Sequence, residues 1–191
     1  MTHDPSTPPL ESAPVESTPV QGVIDPKLFR KTMGCFATGV TIVTTKSEGQ
    51  HYGMTVNSFT SVSLNPALIL VCLANTARTA AAVQARGWFV VNILQEAQTA
   101  LSNRFARPNE DHYVQLDFTI NEYDLPVLSG CLAYLVCRIH RVDPGGDHMI
   151  VLGEVIKAEF HESTPLIFFR GAYSTVTQSP NAQEADLYWY W

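Results

Sequence analysis

Residues 131–160 read CLAYLVCRIHRVDPGGDHMIVLGEVIKAEF, in which two long apolar and β-branched runs flank the short segment DPGGD at 143–147. A proline and two adjacent glycines in so short a segment favour a tight reversal of the chain. Two strand-forming runs on either side of such a turn predict an antiparallel β-hairpin, with strands at 131–142 and 148–160. The longest regular structure of the chain is therefore expected to be antiparallel.

Strand signals also dominate the sequence outside this hairpin. The segment 67–73 (ALILVCL) is wholly apolar and is expected to be a strand buried on both faces. Further strands are expected at 39–45 (GVTIVTT), 52–64 (YGMTVNSFTSVSL), 88–94 (WFVVNIL), 166–170 and 173–177. Short helices are expected at 75–86, where Gly87 would form the C-cap, and at 95–106. Six or more strands with so few helices predict a mainly β fold, a small antiparallel barrel rather than a doubly wound parallel sheet.

Composition limits the classes of partner. The chain has 191 residues, which corresponds to one domain, and its formal net charge of −6 comes from 12 basic against 18 acidic residues. Nucleic-acid binding is disfavoured because it depends on clustered Lys and Arg. Only 16% of the residues are charged, well below the usual share of about 25%. So few charges indicate that part of the surface is covered by a partner subunit or by a bound cofactor.

The two ends differ from the centre of the chain. Residues 1–24 are rich in Pro, Ser and Thr and contain no Lys or Arg, so we expect a disordered leader without targeting function. Residues 25–178 are expected to form the folded domain, and 179–191 an aromatic tail that ends in YWYW and docks on the barrel or on a partner subunit. The longest apolar run, 67–74, is too short to span a bilayer. A soluble, cytoplasmic protein is expected.

Several common catalytic and metal-binding patterns are absent from the sequence. The four cysteines show no zinc-type spacing, so they are expected to be reduced and no metal site is predicted. The chain also lacks G-x-G-x-x-G, G-x-x-x-x-G-K-[ST], H-E-x-x-H and G-x-S-x-G. These absences favour chemistry carried by a bound cofactor.

Three segments carry polar groups in unusual places. The segment 75–79 (NTART) follows a buried strand and opens a helix, which predicts an anion site made by free N–H groups, Arg78 and threonine hydroxyls. The alternative is an ordinary helix start with Asn75 as N-cap. Segments 54–58 (MTVNS) and 61–63 (SVS) carry hydroxyl and amide groups along a strand, either as a ligand-binding wall or as a solvated surface. His148 follows Gly146-Asp147 and is either a ligand contact or an edge histidine beside a turn.

Several motifs in a fixed order give a more specific signal than any of them alone. They include 29–44 (FRKTMGCFATGVTIVT), 53–66 (GMTVNSFTSVSLNP), 89–94 (FVVNIL) and 102–106 (SNRFA), followed by GDH at 146–148 and LGE at 152–154. Together they closely resemble the flavin reductase family, the short reductase components of two-component flavin-dependent monooxygenases. The resemblance extends over about residues 24–177.

The resemblance implies a flavin-binding split β-barrel, Greek-key-like, that forms a homodimer with the flavin near the subunit interface. Carried over by position, the flavin-binding residues would be Thr55, Val56, Asn57, Ser58, Ser61, Val62, Ser63, Ala74, Asn75, Arg78, Thr79, Phe105 and Ala106. On the nicotinamide side the residues would be His148, Arg170 and Tyr173, with His148 as the catalytic candidate. Many relatives have Ser where Asn75 stands, so the phosphate contacts of this chain are expected to differ in detail.

The implied activity is that of an NAD(P)H:flavin oxidoreductase, which transfers hydride from NADH or NADPH to FMN or FAD. The reduced flavin would pass to a partner monooxygenase or related enzyme. Because the cofactor carries the redox chemistry, the protein supplies binding and orientation. Two alternatives remain open: a flavin carrier or sensor without turnover, and an oxidase similar to pyridoxamine-phosphate oxidase. The second would need basic residues for another phosphate, and the chain has only 12 in total.

Overall fold

The computed structural model describes residues 22–108 and 111–177. The helices are α1 (Pro26–Met33), α2 (Arg78–Arg86) and α3 (Thr99–Phe105), and a 3-10 helix (Glu96–Gln98) precedes α3. The strands are β1 (Thr38–Gly39), β2 (Thr41–Ser47), β3 (Gln50–Val56), β4 (Thr60–Leu64), β5 (Ala67–Ala74), β6 (Trp88–Ile93), β7 (Phe118–Ile120), β8 (Pro126–Leu128), β9 (Ala133–Gly145), β10 (His148–Phe160), β11 (Ile167–Phe169) and β12 (Ala172–Ser174). The predicted leader and the YWYW tail lie outside these residues, apart from residues 22–24 at the end of the leader.

The main sheet has seven strands in the order β3-β2-β6-β9-β10-β5-β4, and the pairings within it are antiparallel. Smaller sheets are formed by β1-β11-β12 and β7-β8. Near the two edges of the main sheet, the Ser58 hydroxyl donates to the Cys72 carbonyl and accepts from the Cys72 N–H, both at 3.0 Å. These two bonds tie the end of β3 to β5, so the sheet curls back on itself. The predicted mainly β, antiparallel fold is confirmed.

The interior is filled by apolar side chains from the inner face of the sheet and from α2. The side chains of Phe89, Val71, Leu73 and Val83 are fully buried. The burial of each contributes about 1.5–3 kcal/mol to the stability of the fold. A buried Asn92 in β6 is fully used: its amide donates to the Ile42 carbonyl and the Thr44 hydroxyl and accepts from the Leu128 N–H. Such pairing offsets the cost of burying an amide. Asn92 thereby ties β6 to β2 and β8.

The predicted long hairpin forms, with β9 and β10 paired from Ala133 to Phe160, but β9 continues to Gly145, so the turn is confined to Gly146-Asp147 instead of spanning 143–147. Gly146 has φ +74°, a conformation that favours glycine. The C-cap prediction is also confirmed, because Gly87 ends α2 with φ +75° and its N–H donates to the Val83 carbonyl.

Three local predictions were wrong. Residues 52–64 are not one strand, because the chain leaves the sheet between β3 and β4. Residues 67–73 are not buried on both faces: in β5 buried residues alternate with half-buried ones. Helix α2 begins at Arg78 with Ala77 as N-cap, so Asn75 does not cap it. Instead the Asn75 N–H donates to the Asp147 carbonyl and its side chain to the Gly146 carbonyl, which holds residue 75 against the hairpin turn.

The cysteines in the described residues are free thiols. Cys131 precedes β9 and Cys137 lies within it, and the two belong to different core clusters. Burial raises the pKa of the Cys131 thiol to about 11 and that of Cys137 to about 12. Residues 22–108 and 111–177 hold no group of three or more His, Cys, Asp or Glu side chains arranged for a metal ion. In the same ranges no helix is both long and apolar enough to cross a bilayer.

Candidate functional site

A cleft of about 640 Å³ runs along β3 and reaches the N-terminus of α2. Besides β3 and the N-terminus of α2, the cleft is lined by residues 105–108 and 111–113, at and after the end of α3. Seven consecutive residues, 49–55, line it. Because successive side chains of a strand point to opposite faces, a cleft lined by consecutive residues runs along the edge of the strand. In the main sheet β3 has only β2 as a neighbour, so this edge carries backbone groups without a strand partner.

The N-terminus of α2 supplies hydrogen-bond donors to the cleft. Within the described residues the backbone N–H groups of Thr76, Arg78 and Thr79 have no hydrogen-bond acceptor, whereas the Ala77 N–H donates to the Ala74 carbonyl. Thr79 is buried, and Arg78 is exposed beside it. Free N–H groups, the positive end of the helix dipole and a guanidinium together make a site for an anionic group.

Gly53 allows the closest approach between β3 and α3. A Cβ atom at this position would lie 2.5 Å from Cε1 and 2.7 Å from Cδ1 of Phe105. The ring of Phe105, which is 2% exposed, therefore occupies the space that a side chain at residue 53 would need. This contact sets the width of the cleft where Phe105 and Ala106 line it.

Helix α3 connects Thr55 to Tyr173. The Thr55 hydroxyl donates to the Ser102 backbone carbonyl at 2.7 Å, so its oxygen lone pairs remain available to accept a hydrogen bond from a ligand. The buried Ser102 hydroxyl lies 2.8 Å from the Tyr173 hydroxyl, which also bonds to the Asn103 side-chain oxygen at 3.1 Å. These contacts place the β11–β12 hairpin beside the helix that borders the cleft.

An aromatic cluster closes the other end of the cleft. The Tyr113 hydroxyl donates to the Tyr52 carbonyl at 2.9 Å, and the Tyr113 ring lies edge-on to Phe105 with centroids 5.5 Å apart. Burial raises the pKa of Tyr113 well above its ordinary value, so the phenol stays protonated and remains a donor. His51 lies 5.1 Å from the rings of both Tyr113 and Phe118, and burial followed by the charge of Lys46 lowers the pKa of His51 below 6.5.

At the tip of the long hairpin, His148 is oriented by its neighbour. His148 Nδ1 lies 2.7 Å from Oδ1 of Asp147, and this hydrogen bond lowers the pKa of the Asp147 carboxyl. His148 pairs with Ala74 across β10 and β5, and the Asn75 contacts described above hold the same turn. The structure thus brings Ala74, Asn75 and His148 together, beside the start of α2.

Apart from Ala74, Asn75 and His148 at the hairpin turn, the structure distributes the predicted ligand-binding residues over three places. Thr55, Arg78, Thr79, Phe105 and Ala106 line the cleft. A second group, formed by Asn57, Ser58, Ser61, Val62 and Ser63, lies outside the cleft on the segment after β3 and on the edge strand β4. Val56 is 7% exposed and packs in the core, so its side chain is turned away from any ligand on that wall.

The third group lies on the β11–β12 hairpin. Arg170 occupies the turn with φ +50°, its N–H donates to the Gly34 carbonyl, and its guanidinium lies 5.1 Å from the centre of the Phe169 ring. Tyr173 is directed towards α3 by the hydroxyl contacts described above. Neither residue lines the cleft.

Sequence reasoning missed the outer part of the cleft. Gln50, His51 and Tyr52 line it from β3, and His112 and Tyr113 line it from the segment after α3. From the sequence, residues 107–130 were interpreted only as a polar stretch. No sequence signal singles out His112 and Tyr113, because the same stretch also holds Phe118 and Tyr123.

Comparison with known proteins gives consistent matches. A family model described as a flavin reductase like domain matches residues 33–177. The chain is 40% identical over 154 residues to HsaB, the reductase subunit of a flavin-dependent monooxygenase from Rhodococcus jostii, a match that covers 80% of this chain and 79% of HsaB. It is 39% identical over 160 residues to the NADH-dependent FMN reductase SmoA of Agrobacterium fabrum, covering 84% and 91% of the two proteins.

The fold matches solved structures at a similar level. One is SgcE6, an NADH:FAD oxidoreductase of Streptomyces globisporus C-1027, in complex with NAD and FAD fragments. The two chains are 36% identical with a TM-score of 0.77, and the match covers 85% of this chain and 99% of that one.

Proposed function

The chain belongs to the flavin reductase family, and we propose that it transfers hydride from NADH or NADPH to FMN or FAD and passes the reduced flavin to a separate flavin-dependent monooxygenase or related enzyme. The observation that carries the proposal is the meeting of the free N-terminus of α2 with Thr55 of β3 in one cleft. A flavin has an anionic phosphate and a chain of hydroxyls. The N-terminus of α2 supplies hydrogen-bond donors for the phosphate, and Thr55 supplies an acceptor for a hydroxyl.

The donor set of the cleft fits a flavin phosphate. The N–H groups of Thr76, Arg78 and Thr79, with the Arg78 guanidinium, bind the phosphate. The Thr55 oxygen accepts from a ribityl hydroxyl, because its own proton is donated to Ser102. Along the isoalloxazine ring lie the backbones at Val56, Asn57 and Ser58 and the edge strand at Ser61, Val62 and Ser63, with Ala74 and Asn75 beside the tail. When bound, the flavin supplies the ring that accepts the hydride.

His148 and Tyr173 hold the nicotinamide in this proposal. Asp147 fixes the orientation of the His148 ring, and Ser102 and Asn103 fix the Tyr173 hydroxyl. Two side chains held in this way restrict the nicotinamide to poses in which its ring lies against the flavin, which is the main contribution a protein makes to hydride transfer. Arg170 is a weaker candidate, because its guanidinium already lies over Phe169. The chain itself needs no acid or base for this step.

The proposal includes a homodimer. Helix α1 has no buried residue, and its apolar side chains Phe29 and Met33, one turn apart, are each about half exposed, with Phe36 70% exposed just beyond. A stripe of exposed apolar side chains on one helix is typical of a surface that another subunit covers. The end of α1 contacts the turn at Arg170, so a second copy docked there lies near the nicotinamide residues. The compartment proposed is the cytoplasm, which suits the free thiols.

One anaerobic experiment tests the activity. Purified protein is mixed with oxidised FMN or FAD and then with NADH or NADPH, and the visible absorbance of the oxidised flavin is followed in a stopped-flow instrument. We expect rapid loss of that absorbance with at least one flavin and one nicotinamide, far faster than in protein-free controls. Flavin that binds but keeps its absorbance with both nicotinamides identifies a carrier and contradicts the proposal.

A further inference from the structure

Ser102 connects the cleft to the β11–β12 hairpin through both its backbone and its side chain. The residue is fully buried within α3. Its carbonyl accepts from the Thr55 hydroxyl at 2.7 Å and from the Ala106 N–H at 3.1 Å, so both lone pairs of this oxygen are used. Its hydroxyl lies 2.8 Å from that of Tyr173. Two hydrogen bonds and the atoms of one residue therefore link Thr55 to Tyr173.

The protons of the Tyr173 contacts can be arranged in only one way. A hydroxyl has a single proton to donate. Tyr173 donates its proton to Oδ1 of Asn103 at 3.1 Å, so Ser102 must supply the proton of the bond between the two hydroxyls. The Tyr173 hydroxyl therefore donates one hydrogen bond and accepts one within the protein. Its hydroxyl anchors the side chain, and the contact with a ligand is left to the ring.

Phe168 holds the Tyr173 ring from the neighbouring strand. The two residues are opposite each other in the β11–β12 pair, and their rings meet edge-on with centroids 5.6 Å apart. Phe168 itself packs against the core cluster that contains Phe105. Because Tyr173 is half-buried, part of its ring stays accessible to a ligand. The hydroxyl and ring contacts together fix the Tyr173 side chain relative to α3.

Helix α3 is in turn fixed against β3. The Phe105 ring, three residues after Ser102, fills the space over Gly53. The bond from Thr55 to Ser102 lies two residues further along the same strand. Strand β3, helix α3 and Tyr173 thus form one packed unit. The distance between Thr55 and Tyr173 cannot change without breaking one of these contacts.

We propose that Ser102 is a positioning residue for hydride transfer, which keeps the nicotinamide beside Tyr173 and the flavin beside Thr55 at one fixed separation. The inference rests on the proposed function, since that function brings one ligand to each of these side chains. Hydride transfer needs the reacting atoms about 3–3.5 Å apart, and a displacement of about 1 Å can cost about 100-fold in rate. Being buried, Ser102 touches neither ligand and acts only through the two side chains.

Spectra without turnover and single-turnover rates provide the test. The 1,4,5,6-tetrahydro derivative of the nicotinamide dinucleotide that the wild type uses cannot donate hydride, and its stacking on oxidised flavin produces a long-wavelength charge-transfer absorbance. We expect S102A and Y173F to lose most of this absorbance at saturating derivative, and to reduce flavin about tenfold more slowly at saturating nicotinamide. The flavin dissociation constant should stay within about twofold, because the Ser102 carbonyl still holds Thr55 in both variants.

Ser163→Ala and Tyr134→Phe are the matched controls. Each removes a hydroxyl that bonds to another side chain, and neither residue lines the cleft. The double variant S102A/Y173F should lose no more than either single variant, because the Ser102 hydroxyl acts only through Tyr173. Wild-type absorbance and rate in S102A and Y173F, or losses that add in the double variant, overturn the inference.

The test remains decisive if one variant is unstable. Melting temperatures verify that the variants fold, and Y173F decides the matter if S102A does not fold, because Tyr173 is only half-buried. A wild type that reduces flavin, with variants that behave like it, overturns this inference alone. A wild type that reduces no flavin overturns the proposed function, and the inference with it.

Discussion

The hydroxyl oxygens of Ser102 and Tyr173 lie 2.8 Å apart, and this contact joins the β11–β12 hairpin to the helix that borders the cleft. Ser102 is buried, and its backbone carbonyl also accepts from the Thr55 hydroxyl at 2.7 Å. One residue of α3 thus holds a side chain proposed for the flavin and another proposed for the nicotinamide. The relative position of the two groups depends on how firmly α3 is held.

The first prediction concerns that contact. Tyr173→Phe removes a hydroxyl and leaves Ser102 buried with one partner fewer, so we expect a loss of about 1–2 kcal/mol in the free energy of unfolding. Urea denaturation of Y173F, S102A and the double variant measures the coupling. The losses of unfolding free energy in the two single variants should add up to more than the loss in the double variant. Strictly additive losses would show that the contact does not stabilise the fold.

The second prediction concerns the helix N-terminus. Arg78→Gln removes the guanidinium from the proposed phosphate site, and we expect the flavin dissociation constant to rise at least tenfold. Flavin fluorescence titration measures the change. Arg86→Gln is a matched control at the other end of the same helix, where the guanidinium donates to the Tyr123 carbonyl. An unaltered affinity in R78Q would place the phosphate elsewhere.

The third prediction separates the nicotinamide side from the flavin side. His148→Ala should raise KM for NADH or NADPH about tenfold, because a group that orients the nicotinamide is lost, while the flavin dissociation constant stays within twofold. Asp147→Asn should give a smaller increase, since the ring remains but its charged partner does not. Steady-state kinetics identical to wild type in H148A would remove His148 from the site.

The fourth prediction concerns the contact between β3 and α3. Gly53→Ala places a methyl group 2.5 Å from the Phe105 ring, so ring or strand must move, and we expect a loss of about 1–3 kcal/mol in stability together with weaker flavin binding. Gly39→Ala is the control, because a Cβ there meets no atom within 4 Å. Thermal and urea unfolding measure both variants. A G53A protein as stable as G39A would mean that Phe105 can move freely.

The fifth prediction concerns pH. Burial lowers the pKa of His51 below the 6.5 of the unfolded chain, so the unfolded chain binds a proton there first as pH falls. The free energy of unfolding should therefore decrease as pH drops through 6.5 towards the lowered folded value, and the His51 contribution is lost below it. His51→Gln should reduce the difference in melting temperature between about pH 7.5 and about pH 5. An undiminished difference would assign the pH dependence to other groups.

Local signals predicted most of the long strands and the end of α2, but not helix α1 or strands β7 and β8. The turn at Gly146 and the end of α2 at Gly87 both depend on glycine in conformations that other residues adopt poorly, so they are visible in the sequence itself. The start of α2 was predicted less well, because Asn75 bonds to the hairpin turn at Gly146 rather than to the helix. That partner is 71 positions away in the sequence, and local pattern carries no information about it.

Of the predicted residues that line the cleft, Phe105 and Ala106 were implied by the family resemblance, and the others were predicted where residues of one segment act together. Arg78 and Thr79 follow from the strand-to-helix transition, and Thr55 from the polar strand. The outer part of the cleft depends on how the segment after α3 folds back on β3, through the bond from Tyr113 to the Tyr52 carbonyl. Such packing of a polar segment has no periodic signature, so His51 and His112 could not be assigned from the sequence.

The fit of Phe105 into the space above Gly53 has an evolutionary consequence. A larger residue at position 53 and a phenylalanine at position 105 exclude each other, so neither site is free to drift unless the other changes in the same lineage. Homologous chains with any side chain at the first site should carry a smaller residue at the second. We therefore expect positions 53 and 105 to covary, because together they set the spacing between β3 and α3.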